Sequence, residues 1–126
     1  MTTETTTDLL RALIEHMRGA PENWRTLSIV VELRDGRVGT TYGFTYSPDG
    51  DAAAVASRPS GILPAVQAYL AEKYADDAPQ PLKFLVQFNR DTGVYEVVFE
   101  DTDAERWRVT PANIDTAPQE LKPEFA

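Results

Sequence analysis

Between residues 26 and 46 the side chains alternate with a period of two, and this alternation constrains the chain more than any other feature. Leu27, Ile29, Val31 and Leu33 interleave with Thr26, Ser28, Val30 and Glu32, the pattern of a strand with one buried face. Asp35-Gly36 follows, a dipeptide suited to a two-residue hairpin because its glycine accepts a positive φ. A second run over residues 38–46 places Val38, Tyr42, Phe44 and Tyr46 on one side and Gly39, Thr41, Gly43 and Thr45 on the other. Ser47-Pro48-Asp49-Gly50 is a turn sequence, and a short third strand is expected over residues 52–56. Strands joined by connections this tight pair antiparallel.

The flanking segments switch to helical spacing. Leu9, Leu10, Leu13, Ile14 and Met17 form one apolar stripe, expected to start at Thr6 or Thr7 as N-cap and to stop at Gly19 and Pro21. Ile62, Leu63, Val66, Tyr69, Leu70 and Tyr74 form a second stripe, a helix of about 13 residues with Ser60 as cap and Pro64 near the first turn. Residues 76–81 read as a loop. Leu82, Phe84, Val86 and Phe88 make a fourth strand, Arg90-Asp91-Thr92-Gly93 a turn, and Tyr95, Val97 and Phe99 a fifth. The fold expected is therefore α+β, ordered α-β-β-β-α-β-β with an irregular or short helical tail. It is a two-layer, five-stranded, mostly antiparallel sheet with two helices on one face. The boundaries expected are a flexible N-terminal tail over 1–7, one domain over 8–110, and a proline-containing C-terminal tail over 111–126. The sheet face turned from the helices is expected to carry Thr26, Ser28, Gly39, Thr41, Gly43, Thr45, Lys83, Gln87, Glu96 and Glu100.

Charge narrows the function classes. The chain has 20 acidic and 12 basic residues, a formal net charge of -8, which argues against direct binding to a phosphate backbone. The excess is local: residues 76–105 hold eight acids against Lys83 and Arg90, a balance of -6. That stretch reads either as a solubilising surface or as one that attracts something positive. With no cysteine, thiolate catalysis, disulfides and Cys-ligated metals are excluded. His16 is the only histidine and borders the first apolar stripe; with no partner nucleophile it reads as a packed or solvent-edge residue. Asp101-Thr102-Asp103-Ala104-Glu105 begins like a calcium loop, but Arg106 stands where Gly is needed at its sixth position and Ala112 where Glu is needed at its twelfth. No catalytic, cofactor-binding or metal-binding residue is assigned. Residues 1–8 have neither a basic start nor an apolar run, so neither a signal peptide nor a membrane anchor is expected, and the expected location is cytoplasmic.

The ensemble resembles the YezG-like antitoxin family of small bacterial immunity proteins, in particular its actinobacterial-type members. The resemblance covers most of residues 8–110. It rests on the first helix, Trp24 before a strand, the Gly- and aromatic-rich strand over residues 39–46, and the Ser47-Pro48-Asp49-Gly50 turn. The helix over 62–74, the pair of strands split by a Gly turn, and Arg106-Trp107-Arg108-Val109-Thr110-Pro111-Ala112-Asn113-Ile114 complete it. One departure is Glu100-Asp101, where such proteins often carry Tyr-Asp. The resemblance implies a cytoplasmic protein that binds and blocks a cognate toxin domain, nucleases being one class of such toxins. Such a partner would meet the acidic residues Asp49, Asp51, Glu96, Glu100, Asp101, Asp103 and Glu105, with Tyr46 and Trp107 as aromatic anchors. Trp107 equally suits packing of the tail onto the sheet. The competing readings are a small-molecule-binding domain using the polar sheet face and an adaptor that assembles through strand edges. The oligomeric state is not encoded in any of these features.

Overall fold

A computed structural model describes residues 2–35, 37–74 and 80–123. The elements run α1 (Thr2–Glu15), β1 (Met17–Arg18), β2 (Thr26–Arg34), β3 (Arg37–Tyr46), β4 (Ala52–Ser57), α2 (Pro59–Lys73), β5 (Lys83–Asn89), β6 (Tyr95–Glu100) and α3 (Ala117–Leu121). The strands form a six-stranded sheet in the order β1-β4-β3-β2-β5-β6, and every neighbouring pair is antiparallel. The antiparallel α+β architecture therefore stands, with two corrections. The sixth strand is Met17–Arg18, which pairs with Ser57 and Ala56 of β4; two residues carry no period of their own, so only a neighbouring strand makes them one. The third helix, α3, lies on the sheet face opposite α1 and α2. Among the described residues no helix is long and apolar enough to cross a membrane.

The β2–β3 hairpin forms where the turn chemistry places it. Arg34 pairs with Arg37, and Asp35 adopts φ 53, as a primed two-residue turn requires; Gly36 lies outside the described residues, as do 75–79 of the expected loop. Both long helices differ from expectation at their starts. Helix α1 begins at Thr2, ahead of the expected caps at Thr6 and Thr7 and within the segment read as a tail. Thr6 is buried, and the Thr5 hydroxyl donates to the Glu72 carboxylate of α2, so docking extends a helix that threonine propensity would not. Helix α2 has Arg58 as N-cap, with no side-chain cap bond, and Pro59 in its first turn. Proline's fixed φ and missing N–H suit that position, and Ser60 lies inside the helix.

One irregularity reassigns the faces of β3. The register shifts between Glu32 and Leu33: Leu33 pairs with Val38, but Glu32 pairs with Thr40. Gly39 is thus the extra residue of a β-bulge. In an unbroken two-residue hairpin Tyr42 would face Ile29 and Phe44 would face Leu27, on the helix side. With the bulge, Tyr42 pairs with Val30, Phe44 with Ser28 and Tyr46 with Thr26, so the three aromatics lie on the opposite face. Thr41, Gly43 and Thr45, expected on that outer face, look toward the helices instead, beside Val31, Ile29 and Leu27. Val38 stays with Leu33 against the helix-side core.

Two hydrophobic cores result. The helix-side core joins Leu9 and Leu13 of α1, Ile62, Val66, Tyr69 and Leu70 of α2, and Leu27, Ile29, Val31, Val55, Phe84 and Val86 of the sheet. The outer core joins Val30, Phe44, Tyr46 and Leu85 to Ala117 and Leu121, with Tyr42, Trp107 and Val109 packed at its margin. The C-terminal segment is the only cover the outer aromatics have among the described residues.

Gly43 is a close-approach site, because a Cβ there would overlap the Ser28 carbonyl oxygen and press on the Ile29 backbone of β2. Gly43→Ala is expected to lower stability by about 1–3 kcal/mol, the usual cost of overpacking; urea unfolding followed by far-UV circular dichroism measures it.

Candidate functional site

The outer end of β5 carries a charged row across three strands. Lys83 pairs with Glu32 of β2 on one side and Glu100 of β6 on the other. Opposite residues of antiparallel strands share a face, so the three side chains meet under the chain that leaves β6. Lys83 is only 2% exposed. A buried ammonium needs an acceptor for each of its three protons, and Lys83 has them: Glu32 Oε2 at 3.2 Å and the carbonyl oxygens of Ala104 at 2.7 Å and Arg106 at 2.9 Å. The same Glu32 oxygen accepts from the Tyr42 hydroxyl at 3.0 Å. Burial, then the Glu32 charge beside it, pushes the Tyr42 phenol well above its ordinary range.

Glu100 fixes the loop from its other side. Its carboxylate accepts from Arg106 Nη1 at 2.7 Å and from the backbone N–H groups of Thr102 and Asp103, each at 3.1 Å. The Arg106 bond first, and those amides next, hold its pKa down at about 2. Asp103 Oδ1 accepts from the Glu105 amide at 2.9 Å, and Glu105 pairs with Arg108 at 2.5 Å on the surface. The acidic run is thus a folded loop tied to the sheet by the buried Lys83 and the half-buried Glu100. Asp101, Asp103 and Glu105 stand exposed on it.

Farther along the outer face, the sheet's polar side chains donate to main-chain carbonyls of the C-terminal segment. Ser28 Oγ bonds the Leu121 oxygen at 2.5 Å, Gln87 Nε2 bonds the same oxygen at 3.0 Å, and the Tyr46 hydroxyl bonds the Pro118 oxygen at 2.7 Å. Burial raises the Tyr46 phenol far above its ordinary value, which keeps it a neutral donor. Between this segment and the edge of the sheet lies a cleft of about 510 Å³, lined by Leu85, Gln87, Glu96, Val98, Arg106, Trp107, Glu120 and Lys122. Trp107 forms one wall with φ 63, uncommon for a bulky residue, and the Arg106 guanidinium lies 4.5 Å from its ring centroid.

The expected contact residues separate into groups. Glu100, Asp101, Asp103, Glu105 and Trp107 come together in and beside the loop, and Glu96 lies on the same face of β6, lining the cleft. Asp49 and Asp51 belong to the β3–β4 turn at the opposite end of the sheet, about 20 Å away along strands of six to seven residues. Tyr46 is buried beneath α3 with its hydroxyl engaged, so it braces the C-terminal segment from below. Among the acids of residues 76–105, Asp91 pairs with Arg25, Glu100 with Arg106 and Glu105 with Arg108; Asp76 and Asp77 lie outside the described residues. The outer polar face is largely covered by the C-terminal segment. Glu120 and Lys122 were not anticipated as wall residues: they sit in a segment without periodicity, and no sequence signal brings them to β6. His16 follows α1, its ring against Gly61 and its Nδ1 3.2 Å from Arg58.

Comparison with family models, with curated proteins and with solved structures finds no match to this chain.

Two measurements check the bracing. Lys83→Met leaves the Ala104 and Arg106 carbonyls without their donor and is expected to cost about 1–3 kcal/mol, with faster amide exchange across residues 101–108 in hydrogen-exchange experiments. Glu100 has a depressed pKa, so its contribution to stability is complete above the ordinary carboxyl value of 4.5 and is lost as pH falls toward about 2. The expected result is that acid titration of stability shows this loss in the parent protein and not in Glu100→Gln.

Proposed function

We propose that this protein is an immunity protein, an antitoxin that binds a cognate toxin domain and blocks it by steric and electrostatic occlusion. The observation that carries the reading is the bracing of the acidic loop: Lys83 and Glu100 are spent on holding it, which leaves Asp101, Asp103 and Glu105 facing outward. An exposed loop that is already ordered loses little conformational freedom on binding. Its carboxylates would complement the basic surface by which a nuclease-type toxin holds phosphate. The resemblance to YezG-like antitoxins points the same way, and the proposed setting is cytoplasmic. In this reading the protein performs no catalysis, takes no cofactor and makes no direct contact with nucleic acid. The competing small-molecule reading has to reside in the cleft beside the loop, since the C-terminal segment covers much of the remaining polar face.

The test is co-expression with the toxin encoded beside it. Cells are expected to survive with the parent protein and to die without it; equal killing in both cases overturns the proposal. Asp101→Lys combined with Asp103→Lys leaves Lys83 and Glu100 in place, and is expected to slow association by about tenfold or more at low salt. Stopped-flow kinetics across ionic strengths reads that change, and an unchanged on-rate removes the loop from the interface.

A further inference from the structure

The sheet ends in two unlike edges. One is β1, only two residues long, which offers a further strand almost nothing to pair with. The other is β6, Tyr95-Glu96-Val97-Val98-Phe99-Glu100. Its register with β5 is unbroken, and it has no proline, lysine or bulge to block addition of another strand. The Asn89 amide donates to the Val94 carbonyl at 2.9 Å, and Phe88 pairs with Tyr95, which together fix the phase of the β5–β6 ladder. Main-chain groups alternate between the two sides of a strand. Those of Glu96, Val98 and Glu100 therefore turn to β5, and those of Tyr95, Val97 and Phe99 turn to the free edge. Among the described residues the N–H and carbonyl groups of these three have no hydrogen-bond partner.

The side chains of the same three residues share the helix-side face and are unequally covered. Phe99 packs against Tyr69 and Tyr74 of α2, with ring centroids 6.1 and 5.5 Å away. Tyr95 is 48% exposed, and among the described residues no ring packs against it. It borders a groove of about 420 Å³ with Leu10 and Ile14 of α1 and Phe88 of β5.

We infer that β6 pairs antiparallel with β6 of a second copy of this chain, about a two-fold axis at Val97. The outward-facing residues are symmetric about Val97. One register therefore pairs Val97 with Val97 and Tyr95 with Phe99, and every free main-chain group of both strands gains a partner. Sliding the strands by two residues in either direction leaves part of the set unpaired. A two-fold interface has to be self-complementary in this way. On the helix side each half-exposed Tyr95 meets the packed Phe99 of the second copy, and aromatic and β-branched pairs are favourable cross-strand neighbours. On the outer face Glu96 stands opposite Val98, so like charges are not directly opposed. A strand pair with its flanking rings buries about 1,000 Å², the low end of specific interfaces, so the dimer is reversible. It joins two six-stranded sheets into one and holds independently of the toxin-binding reading.

Sedimentation of the full chain over an about hundredfold concentration range is expected to show the mass rising reversibly toward twice that of one chain. Each copy carries a net charge of -8, so added salt is expected to strengthen the dimer by screening repulsion. Residue-resolved hydrogen exchange reads the register. The amides of Tyr95, Val97 and Phe99 are expected to slow as concentration rises, and those of Glu96 and Val98, already bonded to β5, to change far less. Val97→Pro removes the donor at the axis, and proline is tolerated where the N–H of an edge strand faces outward. Tyr95→Lys sets a charge opposite Phe99 and leaves the backbone intact. Each is expected to weaken association at least about tenfold, with far-UV circular dichroism showing that the variant stays folded. A mass of one chain at every concentration overturns the assignment. So does a dimer that leaves exchange at residues 95–99 unchanged, or one that Tyr95→Lys leaves as tight as the parent. Protection of the edge amides only on adding a toxin, in a chain otherwise monomeric, overturns the second copy as the occupant.

Discussion

The arrangement of the whole molecule depends on the extra residue that Gly39 inserts into the β2–β3 hairpin. A strand has two faces, and a slip of one residue exchanges them. With Gly39 bulged out, Tyr42, Phe44 and Tyr46 leave the helix side, and Thr41, Gly43 and Thr45 take their place. The helix side then has small residues where α2 packs over β3, and Gly43 lets the β2 and β3 backbones approach closely. The other side receives three aromatics that two helices on one face alone would leave in water. Burying each is worth about 1.5–3 kcal/mol, enough to draw the C-terminal segment across the sheet.

That segment has little secondary structure to hold it. Its one helix spans Ala117–Leu121, too short to be stable alone. It is fixed by apolar burial of Ala117 and Leu121 together with donors from the sheet that seek main-chain oxygens: Ser28 and Gln87 on Leu121, Tyr46 on Pro118, and Lys83 on Ala104 and Arg106. Contacts to backbone carbonyls place the chain without depending on the side chains it carries. Those side chains remain available to face outward, which is how a covered sheet face still presents an acidic loop and a lined cleft. The exposed pairs Arg25–Asp91 and Arg108–Glu105 contribute little by comparison, since solvent-exposed ion pairs are worth about 0–1 kcal/mol. The buried ammonium of Lys83 matters more, because each of its protons is matched in a site shielded from water.

Much of the candidate site was legible as a list of residues and illegible as a place. The local excess of acid was plain, and so was the position of Lys83, Gln87 and Ser28 on the polar side of their strands, because period-two alternation assigns faces within an unbroken strand. The bulge broke that inference for β3, since Val38, Tyr42, Phe44 and Tyr46 share parity in sequence but not a face in space. Glu100 and Asp101 look equivalent as a pair of neighbouring acids. The fold makes the first an internal brace and the second a surface charge, because only Glu100 lies opposite Lys83.

The sequence by itself determined the antiparallel hairpin pairs β2–β3, β3–β4 and β5–β6, the presence of the two long helices and the uneven charge, since each follows from residues near one another in the chain. Which face of β3 is inside, where residues 101–123 lie, and which acids are neutralised were decided only by the tertiary structure. Those outcomes depend on a one-residue change of register and on bonds between residues such as Ser28 and Leu121, 93 positions apart. No local pattern encodes a partner at that distance; the burial energy of the assembled sheet selects it.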